Sequence, residues 1–184
     1  MRDLANKEKI EEFMRAFGRH ARSECRIYFT GGATAVLMGW RASTIDVDLR
    51  FEPELDELYR AIPEIKEKFK INVELAAPSD FIPPLPGWQD RSPFIGREGK
   101  ASFYNYDAYS QALAKIERSH EQDIKDVQTM LADGLVHPEK LVAFFREIES
   151  GLYKYPAIDP ASFESRVLEF AREPRVRNEK LDQP

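Results

Sequence analysis

The sequence predicts an α+β fold, in which a small mixed sheet is flanked by helices and followed by a C-terminal helical region. Two segments, 44–51 and 71–76, alternate apolar and polar side chains, which is typical of strands with one buried face. After residue 105 the apolar spacing becomes helical. We therefore predict a sheet-containing core over residues 1–105 and a helical region over residues 106–184, packed on the core.

The elements of the core are short. In chain order the sequence predicts helix 5–17, strand 26–29, helix 33–40, strand 44–51, helix 53–70 and strand 71–76. Pro63 interrupts the third helix, where its ring and its missing N–H predict a kink or a break. The residues expected to face the core from the two alternating strands are Ile45, Val47, Leu49, Phe51, Ile71, Val73 and Leu75.

A proline-rich segment separates these strands from the next pair. Residues 78–93 contain five prolines, too many for regular structure, so we predict a long ordered loop over the sheet. A hairpin follows, with strands over 92–97 and 100–105 and a turn at Glu98-Gly99.

Helical spacing continues through the rest of the chain. One helix is predicted around residues 109–116, and a second is predicted to open with a capping box formed by Ser119 and Gln122. Two further helices are expected to begin near Pro138 and Pro160, because proline suits the first turn of a helix.

Composition and charge limit the classes of function. The formal net charge of −5 argues against tight non-specific binding to duplex nucleic acid. Cys25 is the single cysteine, and no apolar run approaches the roughly 20 residues that span a bilayer. Since no secretory signal opens the chain, we expect a cytoplasmic protein with no membrane partner. The mixed charges over 172–180 predict a solvated tail rather than a binding arm.

Two carboxylates on the clearest strand suggest a metal site. Asp46 and Asp48 are separated by one residue, so they project from the same face of a strand, about 7 Å apart along it. Mg²⁺ prefers oxygen ligands and is usually bound by one or two carboxylates together with substrate phosphates. Glu74 lies on the corresponding face of the next predicted strand, where it is a candidate third ligand or the base that activates a hydroxyl nucleophile.

The Gly31-Gly32 pair precedes this strand and suggests a phosphate site. Without Cβ atoms, a chain lets its backbone N–H groups approach a polyphosphate closely, and a helix beginning at Ala33 would direct its positive end to the same charge. Phosphate and metal would then meet at one edge of the sheet. Paired glycines alone mark turns more often than phosphate sites.

Together these residues resemble the pattern of the nucleotidyltransferase superfamily: Gly31-Gly32, a short helix, Arg41, and the run Ser-Thr-Ile-Asp-Val-Asp-Leu over 43–49. The similarity is closest to the AbiEii-like and minimal nucleotidyltransferase branch, which includes toxins of toxin-antitoxin pairs, and its strong part covers residues 28–51. Many relatives have a serine after the first glycine. Here that position is Gly32, so the hydroxyl contact to phosphate is expected from Thr30 or Thr34, or is absent.

The resemblance implies an activity and a set of site residues. It implies transfer of a nucleoside monophosphate from a nucleoside triphosphate to a hydroxyl, with release of pyrophosphate and with two Mg²⁺ ions as cofactors. The acceptor would be RNA, such as tRNA, or a protein, and a cognate antitoxin would be a further partner. The metal ligands and catalytic residues would be Asp46, Asp48 and Glu74, and the nucleotide contacts on the core would be Gly31, Gly32, Thr34, Arg41 and Thr44.

A second similarity to the same branch lies in the helical region. Lys115 and Arg118, followed by Asp123 and Asp126, resemble its Lys, Arg and Asp-x-x-Asp helical pattern. The resemblance implies that Lys115 contacts the triphosphate, that Arg118 belongs to the nucleotide site, and that Asp123 or Asp126 braces the site or takes part in nucleotide contact.

Each of these interpretations has a simpler alternative. Lys115 and Arg118 suit the solvated face of a helix, Asp123 and Asp126 suit charges at a helix start, and Glu74 suits a solvent-facing strand position. The alternative for the whole protein is a non-catalytic relative that keeps the fold and binds a nucleotide or a partner protein.

Overall fold

The computed structural model describes residues 3–172, so nearly all of the tail predicted over 172–180 lies outside the described residues. The chain divides into two compact units. The first contains the residues up to Asp80 together with Gly87–Asp107, and the second contains Phe81–Pro86 and the residues from Ala108 onward. Among the described residues, no helix combines the length and the apolar character that crossing a membrane requires.

The first unit contains a five-stranded sheet, in the order β3-β2-β1-β5-β4. Its strands are β1 Cys25–Thr30, β2 Asp46–Glu52, β3 Asn72–Leu75, β4 Phe94–Glu98 and β5 Ala101–Asn105. β1 pairs antiparallel with β2 and parallel with β5, β2 pairs parallel with β3, and β4 pairs antiparallel with β5. The predicted α+β fold with a mixed sheet is confirmed.

Helices cover one face of this sheet. The unit contains α1 Lys7–His20, α2 Gly31–Leu37 and α3 Asp56–Phe69. The ring of Phe17 on α1 lies 5.6 Å from Phe51 on β2, and Tyr59 on α3 lies 5.3 Å from the same Phe51 ring. Because side chains alternate along a strand, this packing directs the even-numbered residues of β2 to the opposite face.

Two residues predicted to face the core are exposed instead. Ile45 is 62% exposed and Leu75 is 47% exposed. Ile45 precedes the first residue of β2, and Leu75 is the last residue of the four-residue edge strand β3. Alternation predicts the side of a strand that a residue occupies, but it does not predict where the covering helices stop.

The predicted break at Pro63 is absent, since α3 runs through this residue from Asp56 to Phe69. Proline inside a helix costs about 3 kcal/mol through the lost hydrogen bond and the ring clash. Leu58, Ala61, Ile65 and Phe69 are buried at helical spacing on this helix, and burying each large side chain contributes about 1.5–3 kcal/mol. The burial of this face therefore outweighs the local penalty.

The proline-rich segment begins with a single 3-10 turn over Pro78–Asp80 and otherwise contains turns without strands or long helices. Trp88 anchors it to the first unit, because its ring meets the edge of Tyr28 on β1 at 4.8 Å and stacks on Tyr106 at 4.1 Å. In the first unit this segment is therefore packed but irregular, as predicted.

The second unit is helical, with α4 Ala108–Arg118, α5 Glu121–Ala132, α6 Pro138–Glu149 and α7 Pro160–Arg172. The last two helices begin at the predicted prolines. The predicted capping box is wrong, because Ser119 has a positive φ of 55° and its hydroxyl donates to the carbonyl of Ile116. Ser119 thus ends α4, and His120 takes the N-cap position of α5 without a side-chain hydrogen bond.

Candidate active site

The two carboxylates of β2 lie on the sheet face opposite the helices. Asp46 and Asp48 are half-buried, whereas Val47 and Leu49 are fully buried in the core. In the sheet register, Asp48 lies between Thr30 of β1 and Glu74 of β3. The order of the strands therefore brings Glu74, from a separate segment of the chain, beside the Asp-x-Asp pair.

Gly31 and Gly32, predicted to form a turn before a helix at Ala33, are instead the first two residues of α2, and Gly31 lies directly against one of these carboxylates. Gly31 has a φ of +58°, and a Cβ atom added to it would lie 2.6 Å from Oδ2 of Asp48. Only glycine combines this backbone conformation with so close an approach. The structure thus joins the turn and the Asp-x-Asp strand, which the sequence separates by more than a dozen residues.

Gly31→Ala is expected to lower activity about 100-fold, because the new methyl group displaces the Asp48 carboxylate and an error of about 1 Å in a catalytic group can cost that much. The left-handed backbone adds a stability cost of about 1–2 kcal/mol. The measurement is the rate of nucleotide transfer beside a thermal melt.

Gly134→Ala is the matched control, since Gly134 also has a positive φ, of +70°, but a Cβ atom there meets no neighbour within 4 Å. Equal activity losses in the two variants would show that backbone strain, and not the position of Asp48, explains the effect.

The second glycine lies against the segment that leads into β2. A Cβ atom on Gly32 would lie 2.1 Å from Oγ1 of Thr44 and 3.5 Å from Nη1 of Arg41. The Thr44 hydroxyl donates to the carbonyl of Asp46 at 3.0 Å. Thr44 and Arg41 therefore lie close to Gly32, and the guanidinium of Arg41 supplies a positive charge beside it.

The threonine hydroxyls near the turn donate to the backbone. Oγ1 of Thr34 donates to the carbonyl of Phe29, and Oγ1 of Thr30 donates to the carbonyl of Ala76, each at 3.0 Å. Both threonines are 5% exposed. Either hydroxyl would have to give up this bond before it could donate to a phosphate.

Asn72 connects two of the carboxylates, and no sequence motif identifies it. It pairs with Asp46 in the register of β2 and β3. Its Nδ2 donates to Oδ1 of Asp46 at 2.8 Å and to Oε1 of Glu74 at 2.7 Å. The feature of the sequence that could have identified Asn72 is its position in the strand. Asn72 and Glu74 are two residues apart, so they lie on the same face. The contact with Asp46 required the pairing of β3 with β2.

The carboxylates of this site suit Mg²⁺ as a pair of ligands rather than as a complete coordination shell. Among residues 3–172, no group of three His, Cys, Asp or Glu side chains is assembled closely enough to hold a metal ion. Mg²⁺ commonly takes one or two protein carboxylates and completes its shell with water and substrate phosphates. Asp46 and Asp48 provide a pair of such oxygens, and Asp48 lies against Gly31.

The predicted Lys115 cluster forms a network of buried ion pairs in the second unit. Nζ of Lys115 lies 3.0 Å from Oδ1 of Asp123 and 2.6 Å from Oδ2 of Asp126. Lys115, Asp123 and Asp126 are 5%, 6% and 2% exposed. The guanidinium of Arg118 lies 2.9 Å from Asp123 and covers the ring of Phe81 at 4.9 Å.

This burial contradicts the alternative in which Lys115 lies on a solvated helix face. A charge removed from water is tolerated when it is paired and hydrogen-bonded, and here one ammonium contacts two carboxylates. The ion pairs that these side chains form with one another explain why they can be buried. Contact between Lys115 and a triphosphate stays a prediction.

Trp88 does not offer a free stacking surface. Its ring is 5% exposed, lies nearly parallel to Tyr106 with an interplanar angle of 3°, and has the guanidinium of Arg50 5.6 Å from its centroid. Burial also raises the pKa of the Tyr106 phenol, so this side chain stays neutral well above neutral pH. The cluster stabilises the proline-rich loop.

A mixed sheet that brings an Asp-x-Asp strand against a Gly-Gly turn is consistent with the nucleotidyltransferase-like fold. The chain belongs to the family described as nucleotidyltransferase of unknown function (DUF6036), whose model matches residues 7–175. No curated protein and no solved structure matches the chain. The resemblance to the nucleotidyltransferase superfamily is therefore confirmed, and the AbiEii-like branch stays a prediction.

Proposed function

We propose that this protein is a metal-dependent nucleotidyltransferase that moves a nucleoside monophosphate from a nucleoside triphosphate to a hydroxyl group. The observation that supports this most strongly is the approach of Asp48 to Gly31, where a Cβ atom would lie 2.6 Å from the carboxylate. In this proposal Asp48 binds the cation and the adjacent glycines bind the phosphates.

The proposed reaction forms a bond between the acceptor oxygen and the α-phosphorus and breaks the bond between the α- and β-phosphates. The products are the nucleotidylated acceptor and pyrophosphate. Two Mg²⁺ ions bound at Asp46 and Asp48 would neutralise the charge that develops on the phosphate oxygens. Glu74 takes the proton of the acceptor hydroxyl or serves as a further ligand.

The remaining site residues position the triphosphate. Gly31 and Gly32 contribute backbone N–H groups to the phosphates, since neither residue has a Cβ atom to hinder a close approach. Arg41, whose Nη1 lies beside the second glycine, neutralises phosphate charge. Thr44 packs against Gly32 and donates its hydroxyl to the Asp46 carbonyl at the start of β2.

The finer assignment follows the resemblance. We propose a place in the AbiEii-like branch, a hydroxyl on RNA or protein as the acceptor, and a role as the toxin of a toxin-antitoxin pair. In that role a cognate antitoxin would be the binding partner.

Radiolabelled nucleoside triphosphates test this proposal. Each of the four, labelled at the α-phosphate, is incubated with Mg²⁺, total RNA and a protein extract, with and without a chelator. We expect label on a macromolecule and release of pyrophosphate, both lost with the chelator and in the Asp46→Ala variant. Equal label with wild type and variant would contradict the proposal.

A non-catalytic nucleotide-binding module is the second candidate. The described residues favour it, because no group of three carboxylates among them is assembled to hold a metal ion. This candidate predicts saturable binding of a triphosphate without pyrophosphate release in the same experiment.

A further inference from the structure

The amide of Asn72 bridges two carboxylates of the candidate site, and we propose that Asn72 is a positioning residue that fixes Glu74 beside Asp46 for cation binding. This inference rests on the proposed function. Nδ2 of Asn72 lies 2.8 Å from Oδ1 of Asp46 and 2.7 Å from Oε1 of Glu74.

The two ends of this bridge differ in their surroundings. Asp46 is half-buried on the interior strand β2, whereas Glu74 is exposed on the edge strand β3. Asn72 itself is 8% exposed. An exposed glutamate samples many rotamers, and binding a cation costs the conformational entropy of fixing one of them. A hydrogen bond from a buried neighbour already restricts the Glu74 side chain, so this cost is lower. Asn72 thus connects the exposed carboxylate to the half-buried one.

The chemistry of the amide suits this role. An NH₂ group has two hydrogens, and an ionised carboxylate has about four lone-pair sites on its two oxygens. One amide can therefore bond to one oxygen of each carboxylate, Oδ1 of Asp46 and Oε1 of Glu74, and leave the second oxygen of each outside the bridge. Outer hydrogen bonds of this kind orient metal ligands.

The protein holds another pair of carboxylates by different means. Asp123 and Asp126 contact the ammonium of Lys115, and Asp123 also contacts Arg118, so cations neutralise their charge. The donor between Asp46 and Glu74 is neutral, so their negative charge is retained. Carboxylates oriented by a neutral donor attract a divalent cation, whereas carboxylates already paired with lysine and arginine do not.

Binding of Mn²⁺ alone, followed by electron paramagnetic resonance, tests the inference without any measurement of activity. We expect Asn72→Ala to weaken Mn²⁺ binding by about 10–100-fold, the range for loss of an outer hydrogen bond at a metal site. In the Glu74→Ala background, adding Asn72→Ala is expected to change the affinity by less than about threefold, since contacting residues act non-additively.

Two controls complete the experiment. Gln89→Ala removes another amide that donates to a carboxylate of β2, Oε1 of Glu52 at 3.5 Å, and is expected to leave Mn²⁺ binding unchanged. Should Asn72→Ala lower the melting temperature, Asn72→Val repeats the test with a side chain that favours strands.

The outcomes separate the inference from the proposed function. If wild type and Asp46→Asn bind Mn²⁺ equally, the metal site itself is wrong, and the role of Asn72 is overturned with it. If Asp46→Asn abolishes binding but Asn72→Ala and Asn72→Val bind like wild type, only the inference is overturned. A full loss on adding Asn72→Ala to Glu74→Ala would overturn it as well, since Asn72 would then not act through Glu74.

Discussion

Asp46→Asn and Asp48→Asn are each expected to lower the rate of nucleotide transfer by at least about 10³-fold. A bound metal stabilises the transition state of phosphoryl chemistry by several kcal/mol, and about 1.4 kcal/mol corresponds to a factor of 10 in rate. Asparagine keeps the shape of aspartate but removes the charge that holds a hard cation. The measurement is pyrophosphate release at saturating triphosphate and Mg²⁺.

Both aspartates are half-buried on the sheet face opposite the helices, so their replacement is expected to leave the fold intact. Asp56→Asn is the control for charge, because Asp56 is an exposed carboxylate of the same unit that pairs with the exposed Arg60 at 3.6 Å. Activity that survives in Asp48→Asn would show that this carboxylate does not hold the cation.

Lys115→Met is expected to lower the free energy of unfolding by about 3–5 kcal/mol, the usual cost of leaving buried charges without their partner. Methionine keeps much of the volume of lysine but removes the ammonium that Asp123 and Asp126 share at 6% and 2% exposure, and Asp123 then keeps only its ion pair with Arg118 among its described ion pairs. Two like charges in a dry environment repel each other and lose their hydration. Urea denaturation followed by circular dichroism measures the change.

Lys125→Met is the matched control, because Lys125 is 60% exposed in its side chain and pairs with Glu121 on the surface of α5. An exposed pair of this kind contributes about 0.3–0.5 kcal/mol. If Lys115→Met were as stable as wild type but failed to bind a triphosphate, the nucleotide contact implied by the family resemblance would be correct, and the structural role would be wrong.

The order of helices and strands was largely predictable because it depends on local patterns. Alternation over 44–51 placed Asp46 and Asp48 on one face, and the structure confirms that Val47, Leu49 and Phe51 between and beyond them are buried. The errors have local causes as well. Pro63 was weighed without the apolar face of α3, and Ser119 was treated as a helix start although its positive φ makes it a helix end.

The candidate site was less predictable, because it depends on which strands are neighbours. Glu74 was selected by phase and chain order, and the parallel pairing of β2 with β3 places it beside Asp48. The same pairing places Asn72 beside Asp46, a contact that no motif in the sequence marks.

The sequence by itself determined the periodicity of the elements and the residue types that can bind a cation and a phosphate, since both follow from neighbours along the chain. The tertiary structure decided that Asp48 meets Gly31, that Asn72 joins Asp46 to Glu74, and that Lys115 is buried between two aspartates. Hydrogen bonds and ion pairs act over only a few ångströms, so the partners of these side chains were defined once the folded chain had brought distant segments together.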